Sequence, residues 1–130
     1  MRLYIDSSAL VKLIVTESES QELRSFLSQV SDLISSNIAR LEVARFRSIY
    51  LDSHSIRSLE DRLSYISMTN SLVSLSIALG LSRITRALDA IHLASAFWMR
   101  NEIVGIITYD KKMSSAAAKL GLPTFSPGLS

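Results

Sequence analysis

The sequence contains no cysteine, which excludes disulfide bridges, thiolate metal sites and a cysteine nucleophile. It has only two histidines, His54 and His92, and these are too few for a multi-histidine zinc site. No apolar run reaches the roughly 18 residues that a membrane-spanning helix needs. The N-terminus lacks a basic segment followed by an apolar stretch and a small-residue cleavage site. We therefore expect a cytoplasmic protein with no membrane span.

The remaining composition is that of an ordinary folded domain. The chain has 130 residues, of which 48% are hydrophobic and 20% are charged, so it can bury a sizeable core. We predict a single domain over residues 1–130, because no linker, internal repeat or low-complexity tract divides the sequence. The net charge of +2 permits a polyanionic partner but does not require one.

Apolar runs typical of strands alternate with segments of helical period. Residues 1–5 predict a buried strand, and residues 103–108, apolar throughout, predict a central strand buried on both faces. Weaker strand signals lie at residues 32–35 and 122–125. This alternation predicts an α/β fold with three layers, α/β/α, around a mainly parallel sheet of four to five strands.

Several segments between the strands predict helices. Apolar residues recur with helical spacing at residues 38–51, 70–79 and 111–120, and a long helix is predicted to open at Asp89. Residues 56–66 also have a helical period, although residues 65–68 have a competing strand signal. Ser7 and Ser8 are suitable N-cap residues for the first helix.

Four carboxylates stand where they could meet at one edge of the predicted sheet. Asp6 and Asp110 follow strands, Asp89 opens a helix, and Glu42 lies about one turn into another helix. Ligands of open parallel sheets bind at the carboxyl ends of the strands. Carboxylate oxygens are preferred ligands of Mg²⁺ and Mn²⁺, and four acids in one cleft need a cation to stay ionised. Such a site could activate a water for attack on a phosphodiester.

Each acid also has an ordinary structural interpretation. Asp6 can serve as a turn or cap residue, and Asp89 is well placed to be an N-cap. Glu42 can be a solvated residue of its helix. The metal-site hypothesis therefore depends on the four residues converging, which spacing alone does not establish.

Five segments in order make the sequence similar to a known family. They are residues 4–12 (YIDSSALVK), 41–45 (LEVAR), 86–96 (RALDAIHLASA), 107–110 (ITYD) and 120–127 (LGLPTFSP). Together they resemble PIN-domain ribonucleases, specifically VapC-type toxins of prokaryotic toxin–antitoxin pairs. The resemblance covers nearly the whole chain.

This resemblance implies a PIN-like fold and a set of functional residues. Asp6, Glu42, Asp89 and Asp110 match the acidic quartet with which the family binds Mg²⁺ or Mn²⁺ and cuts single-stranded regions of RNA. Asp6, Asp89 and Asp110 are the best ligand candidates, while Glu42 binds the metal directly or holds its waters. The family commonly forms homodimers and is neutralised by a small VapB-like antitoxin protein that enters the active-site groove.

Three further residues have more than one interpretation each. Ser8 and Thr108 stand where the family has small hydroxyl residues beside the acids, or they are simply a helix cap and a strand end. Arg86 lies one helical turn before Asp89, where it neutralises the acids, touches a phosphate, or pairs structurally with Asp89 or Glu42.

Residues near two of the acids complete the candidate site. His92 shares a helix face with Asp89 and is expected to have a structural hydrogen-bonding role. Lys111 and Lys112 follow Asp110 where some family members carry a further Asp or Asn. This departure is consistent with one metal, or with weak binding of a second. The lysines contact RNA phosphates or are solvated.

Three functions follow from these observations. The leading one is a metal-dependent endoribonuclease that acts as a growth-inhibiting toxin. The second is a PIN module that binds RNA or a partner with little activity. The third is a phosphoacceptor domain, which would need an early acidic pair; Asp6 instead stands alone.

Overall fold

The computed structural model describes residues 1–47 and 61–129. Its helices are α1 (Ser7–Ile14), α2 (Ser20–Leu27), α3 (Ala39–Arg47), α4 (Asn70–Ala78), α5 (Ala87–Trp98) and α6 (Lys111–Lys119). Its strands are β1 (Arg2–Ile5), β2 (Asp32–Ser36), β3 (Leu63–Ile66), β4 (Ile106–Ile107) and β5 (Thr124–Phe125). A 3₁₀ turn, Leu81–Arg83, follows α4.

The described strands form one five-stranded parallel sheet in the order β3-β2-β1-β4-β5. β1 is the middle strand, and its Tyr4 pairs with Ile34 of β2 and with Ile106 of β4. The prediction of an α/β fold with a parallel sheet is therefore confirmed.

Two hydrophobic clusters cover opposite faces of the sheet. Leu3 and Ile5 belong to the cluster that includes α1, α2 and α3, whereas Tyr4 belongs to the cluster that includes α4, α5 and α6. Successive side chains of a strand point to opposite faces, so β1 contributes to both clusters. The predicted three-layer arrangement is confirmed.

The strand predicted over residues 103–108 is shorter and less central than expected. Only Ile106 and Ile107 form β4, and they are 1% and 0% exposed, whereas Val104 is 46% exposed. The central place belongs to β1. The apolar run correctly predicted that the strand is buried on both faces. It did not reveal that β4 pairs with a strand, β5, of only two residues.

The helix predicted over residues 56–66 is wrong at its end, because Leu63–Ile66 is strand β3, and the competing strand signal over residues 65–68 is confirmed at residues 65 and 66. These residues pair with β2 from Leu33 to Ser36, and this pairing outweighs the helical period of the segment. Residues 48–51 and 56–60, also predicted as helix, lie outside the described residues.

Across residues 1–47 and 61–129, no helix has both the length and the apolar character required to cross a bilayer.

Candidate active site

Asp6 follows β1 and is buried at the carboxyl edge of the sheet, with 2% of its surface exposed. Its Oδ1 accepts a hydrogen bond from the Ala9 backbone N–H at 3.1 Å, so Asp6 is the N-cap of α1. The prediction that Ser7 or Ser8 caps this helix is therefore wrong, because the helix begins at Ser7.

Two hydroxyl groups hold the Asp6 carboxylate. Ser8 Oγ donates to Oδ1 at 2.6 Å, and Thr108 Oγ1 donates to Oδ2. Burial raises the pKa of Asp6, although the bonds from Ser8, Thr108 and the Ala9 N–H oppose this shift. A cation nearby would favour the ionised form of such a carboxylate.

Hydrogen bonds connect the end of β4 to the start of α1. The Tyr109 backbone N–H donates to Ser8 Oγ at 2.9 Å, and the Asp110 N–H donates to Thr108 Oγ1 at 3.1 Å. Asp110 is itself the N-cap of α6, since its Oδ1 accepts from the N–H groups of Lys112 and Met113. The Thr108 hydroxyl thus donates to the carboxylate of Asp6 and accepts from the backbone N–H of Asp110.

Three of the four acids line one cavity of about 690 Å³. Glu42, Asp89 and Asp110 form its acidic part, and its walls include four basic residues: Arg83, Arg86, Lys111 and Lys112. Asp6 does not line this cavity and is joined to its wall through Thr108. Three of the predicted acids therefore line the same cavity, and Asp6 lies outside its lining.

A buried hydrogen-bonded chain holds Glu42. His92, 2% exposed, contacts Glu42 Oε1 through Nε2 at 3.1 Å and the Tyr4 hydroxyl through Nδ1 at 2.6 Å. Ser7 Oγ donates to the same Glu42 oxygen and lies 2.9 Å from His92 Nε2. Burial would raise the pKa of Glu42, but the bonds from His92 and Ser7 outweigh it and the pKa is lowered.

This chain determines which nitrogen of His92 carries the proton. Burial, and then the charge of Asp6, raise the pKa of Tyr4, so its phenol keeps its proton and donates it to Nδ1. An ionised Glu42 can only accept, so Nε2 carries the hydrogen that points to Glu42. The expected hydrogen-bonding position of His92 agrees with this geometry.

Asp89 lies in the first turn of α5 without capping it. The helix begins at Ala87, its N-cap residue is Arg86, and neither Asp89 nor Arg86 caps it through a side chain. The prediction that the helix opens at Asp89 is thus wrong by two residues, because the polar Asp signal was mistaken for the cap. Arg86 makes no hydrogen bond or ion pair with Asp89 or Glu42, although its charge acts on Asp89.

The electrostatics of Asp89 favour a cation. Its side chain has no hydrogen bond to any described residue, and burial, then the charges of Asp110 and Glu42, raise its pKa. Within the described ranges, no three Asp, Glu or His side chains are grouped closely enough to hold a metal ion. The donor chemistry is nevertheless suitable for a hard cation, since carboxylate oxygens are what Mg²⁺ and Mn²⁺ prefer.

Sequence reasoning missed the residues that support Glu42. Tyr4 was assigned only to a buried strand and Ser7 only to a cap. The available signal was a lone phenol in an otherwise aliphatic strand, since a buried Tyr hydroxyl needs a partner.

The family model described as "PIN domain" matches residues 3–119. A protein named Ribonuclease VapC47, from Mycobacterium tuberculosis, is 35% identical to this chain over 133 residues and the match covers 97% of each. Ribonuclease VapC46 from the same organism is 36% identical over 129 residues, covering 96% of this chain and 97% of that protein.

Similarity also extends to a solved structure described as a toxin–antitoxin complex from Klebsiella pneumoniae. One of its chains superposes with a TM-score of 0.72 and 21% identity, covering 96% of this chain and 97% of that chain. At this level of identity the likeness concerns the fold, and it agrees with the three-layer architecture.

Proposed function

Because this chain belongs to the PIN domain family as a VapC-type member, we propose that it is a metal-dependent endoribonuclease and the toxin of a toxin–antitoxin pair. We propose that its substrate is RNA and that it acts in the cytoplasm. The relatives named as ribonucleases match along nearly their full length, so the proposal does not depend on a fragment of the fold.

One structural observation carries the catalytic part of this proposal. Asp89 faces Glu42 and Asp110 across a shared cavity, has no hydrogen bond to a described residue, and has a raised pKa. A half-buried carboxylate with acidic neighbours is costly unless a cation compensates it. We take this as support for a Mg²⁺ or Mn²⁺ site.

We propose Asp89, Asp110, Glu42 and Asp6 as the residues that would hold the metal. Asp89, Asp110 and Glu42 line the cavity, and binding would have to draw their carboxylates closer together than they are in this arrangement. Asp6 lies outside the cavity lining and would act through Thr108, which bonds both its carboxylate and the backbone of Asp110. When bound, the ion would supply a water of lowered pKa and a positive charge beside the phosphate. This is the chemistry that hydrolysis of a phosphodiester to a 5′-phosphate and a 3′-hydroxyl would need.

The other residues of the site position these acids. His92 and Ser7 lower the pKa of Glu42 and, with Tyr4 bonded to His92, fix the direction of its carboxylate. Ser8 and Thr108 fix the direction of the Asp6 carboxylate and oppose the rise of its pKa on burial. Partners that orient metal ligands in this way affect metal affinity and activity by roughly 10- to 100-fold. Arg86, exposed on the cavity wall, is available to contact a substrate phosphate.

Cleavage of a structured RNA pool by the purified protein tests the proposal. We expect cuts in Mg²⁺ or Mn²⁺, none in EDTA, and a loss of at least roughly 100-fold in Asp89→Asn, the upper end of what losing an orienting partner costs. Asp32→Asn is the matched control, because Asp32 begins β2 at the opposite edge of the sheet and is exposed.

The outcomes separate the hypotheses. RNA binding without cleavage, unchanged in Asp89→Asn, would contradict the nuclease and support a PIN module that only binds RNA or a partner. Cleavage that survives in Asp89→Asn would show that the site is misplaced. The phosphoacceptor hypothesis receives no support from the family match.

The partners follow from the same family membership. We propose that a small VapB-like antitoxin neutralises this protein and that the chain forms a homodimer. The mass in solution tests the second point, since one chain has a mass of 14.4 kDa and a dimer would have twice that value.

A further inference from the structure

A second cavity adjoins the acidic one at the start of α6. It has a volume of about 290 Å³ and is lined by Ile84, Lys111, Lys112, Ser115, Ala116 and Lys119. Ile84, Lys111 and Lys112 also line the acidic cavity. The two cavities therefore adjoin each other at the start of α6, and we call them together the depression beside α6.

The lysines lie on the face of α6 that borders this depression. Lys112, Ser115 and Lys119 follow one another at intervals of three and four residues, which places them on one side of a helix. At 1.5 Å per residue this row is about 10 Å long. No hydrogen bond or ion pair joins these lysine side chains to the part of the chain that the structure describes, so their charges are available.

The position of the first two lysines is unfavourable for the helix itself. Lys111 and Lys112 occupy the first turn of α6, which contains no acidic residue. The N-terminal end of a helix carries a partial positive charge and favours anions. Asp110 satisfies this preference at the N-cap, so the stability of the helix gives no reason for two successive lysines in the first turn beside a cavity.

The chemistry of the depression suits a phosphodiester strand. Lys ammonium groups bind phosphate oxygens as point charges, and Ser115 adds a hydroxyl that can donate to another oxygen. Ile84, which is 44% exposed, offers an apolar surface against which a sugar or base can pack. Since the acidic part of the cavity repels phosphates, a strand needs a nearby cationic surface to be held there.

We propose that this lysine groove, formed by Lys111, Lys112, Ser115 and Lys119, binds the phosphates of the single RNA strand on one side of the bond that is cut. The rise of a stacked strand is about 3.4 Å per nucleotide, so a row of this length covers two or three phosphates. The groove positions substrate and takes no part in the chemical step. This inference rests on the proposed ribonuclease function.

A charge-matched pair of double variants tests the groove. Lys112→Gln/Lys119→Gln removes two charges from the groove. Arg2→Gln/Arg100→Gln removes two from the opposite edge of the sheet, where Arg2 begins β1 and Arg100 follows α5. Circular dichroism of both variants confirms that the fold is retained.

The first measurement is binding of a fluorescently labelled single-stranded RNA in EDTA, by anisotropy, over a series of salt concentrations. Each lost phosphate contact lowers the slope of log affinity against log salt by about 0.7. We expect the slope to fall by about 1.4 in the groove variant and to stay unchanged in the control. In Mg²⁺, the groove variant should raise KM and leave kcat near that of the wild type.

Different results would overturn different proposals. If the wild type cleaves RNA and the two double variants have equal salt slopes and equal KM values, the groove is not a phosphate site and the nuclease stands. A fall in kcat without a change in KM would also contradict a positioning role. If the wild type neither binds nor cleaves RNA, the proposed function fails and the groove proposal fails with it.

Discussion

At the scale of single residues, the central feature is the buried contact between Tyr4 and His92. Tyr4 is fully buried in the middle strand, yet its hydroxyl lies 2.6 Å from His92 Nδ1, and His92 contacts Glu42 on its other side. The direction in which Glu42 points therefore depends on a residue of the core.

Tyr4→Phe removes the donor to His92 and keeps the ring. The buried Nδ1 then lacks this partner, which we expect to lower the free energy of unfolding by about 1–3 kcal/mol. Because His92 also loses its fixed orientation, we expect RNA cleavage to fall by roughly 10- to 100-fold. Denaturant unfolding and cleavage rates measure the two effects.

Tyr109→Phe is the matched control, since its hydroxyl donates to the Pro127 carbonyl and not to the site. It should leave cleavage near the level of the wild type. Equal cleavage by Tyr4→Phe and the wild type would show that the chain from Tyr4 to Glu42 does not orient the acid.

The sequence predicted the acids better than their surroundings. Asp6 and Asp110 were recognisable because each follows an apolar strand, and Asp89 and Glu42 because each lies near a helix start. The position of Asp6 behind Thr108 was not predictable, since it depends on which strand pairs with β1. The four site residues and their roles remain predictions.

At the scale of elements, the pairing of β4 with β5 depends on Gly105. A Cβ at this residue would lie 2.5 Å from the Pro123 carbonyl oxygen and 2.7 Å from Phe125 Cε2. The backbone carbonyl of Pro123 also accepts the hydrogen bond of the Ile106 N–H. The absence of a side chain at Gly105 is therefore what lets β5 approach.

Gly105→Ala should push β5 away from β4. We expect a loss of about 1–3 kcal/mol of unfolding free energy, as for other overpacked sites, measured by thermal or denaturant unfolding. Val104→Ala serves as the control, because Val104 is exposed and its truncation should cost little. If both variants unfold at the same temperature, the close contact at Gly105 does not limit the stability of the pairing between β4 and β5.

Helices and strands were predicted correctly where the local sequence pattern and the tertiary contacts favour the same structure. The helix over residues 70–79 and its end at Gly80 were predicted correctly, and Gly80 has the positive φ of 68° that glycine adopts at low cost. The sequence left helix and strand both open at residues 65 and 66 of β3, because the pairing with β2 decides the conformation of this segment. The start of α5 was misplaced because Arg86, its N-cap residue, forms no side-chain cap.

At the scale of the whole molecule, acidic and basic side chains meet in one cavity of a chain with net charge +2. The pKa of Asp89 is raised by burial and by Asp110 and Glu42. A raised pKa in the folded state contributes stability that is present below the ordinary pKa and is lost as the pH rises through the folded value. At neutral pH, the ionised Asp89 therefore destabilises the metal-free protein.

Asp89→Asn removes this penalty, so in EDTA at pH 7 the variant should unfold at a higher temperature than the wild type. The difference should shrink as the pH is lowered towards 3.8, the ordinary value for this group. Added Mg²⁺ should reverse the order, because binding to the folded wild type adds about 2.7 kcal/mol at 100 times Kd. An unchanged melting temperature of the wild type in Mg²⁺ would contradict a metal site.

The overall architecture was largely predictable, because alternating strand and helix patterns allow few topologies. The five parallel strands and three layers agree with it. The order of strands was not predictable, since β1 takes its neighbours from distant parts of the chain. The single domain over residues 1–130 remains a prediction.

The strand order also determines when the site can form during synthesis. Thr108, which holds the Asp6 carboxylate, is synthesised 102 residues after Asp6. At about 5–20 residues per second, this separation corresponds to roughly 5–20 seconds of translation. Until β4 takes its place beside β1, a nascent or prematurely terminated chain has no assembled acidic site. The acidic site therefore forms only after residues far apart in the sequence have been brought together by the sheet.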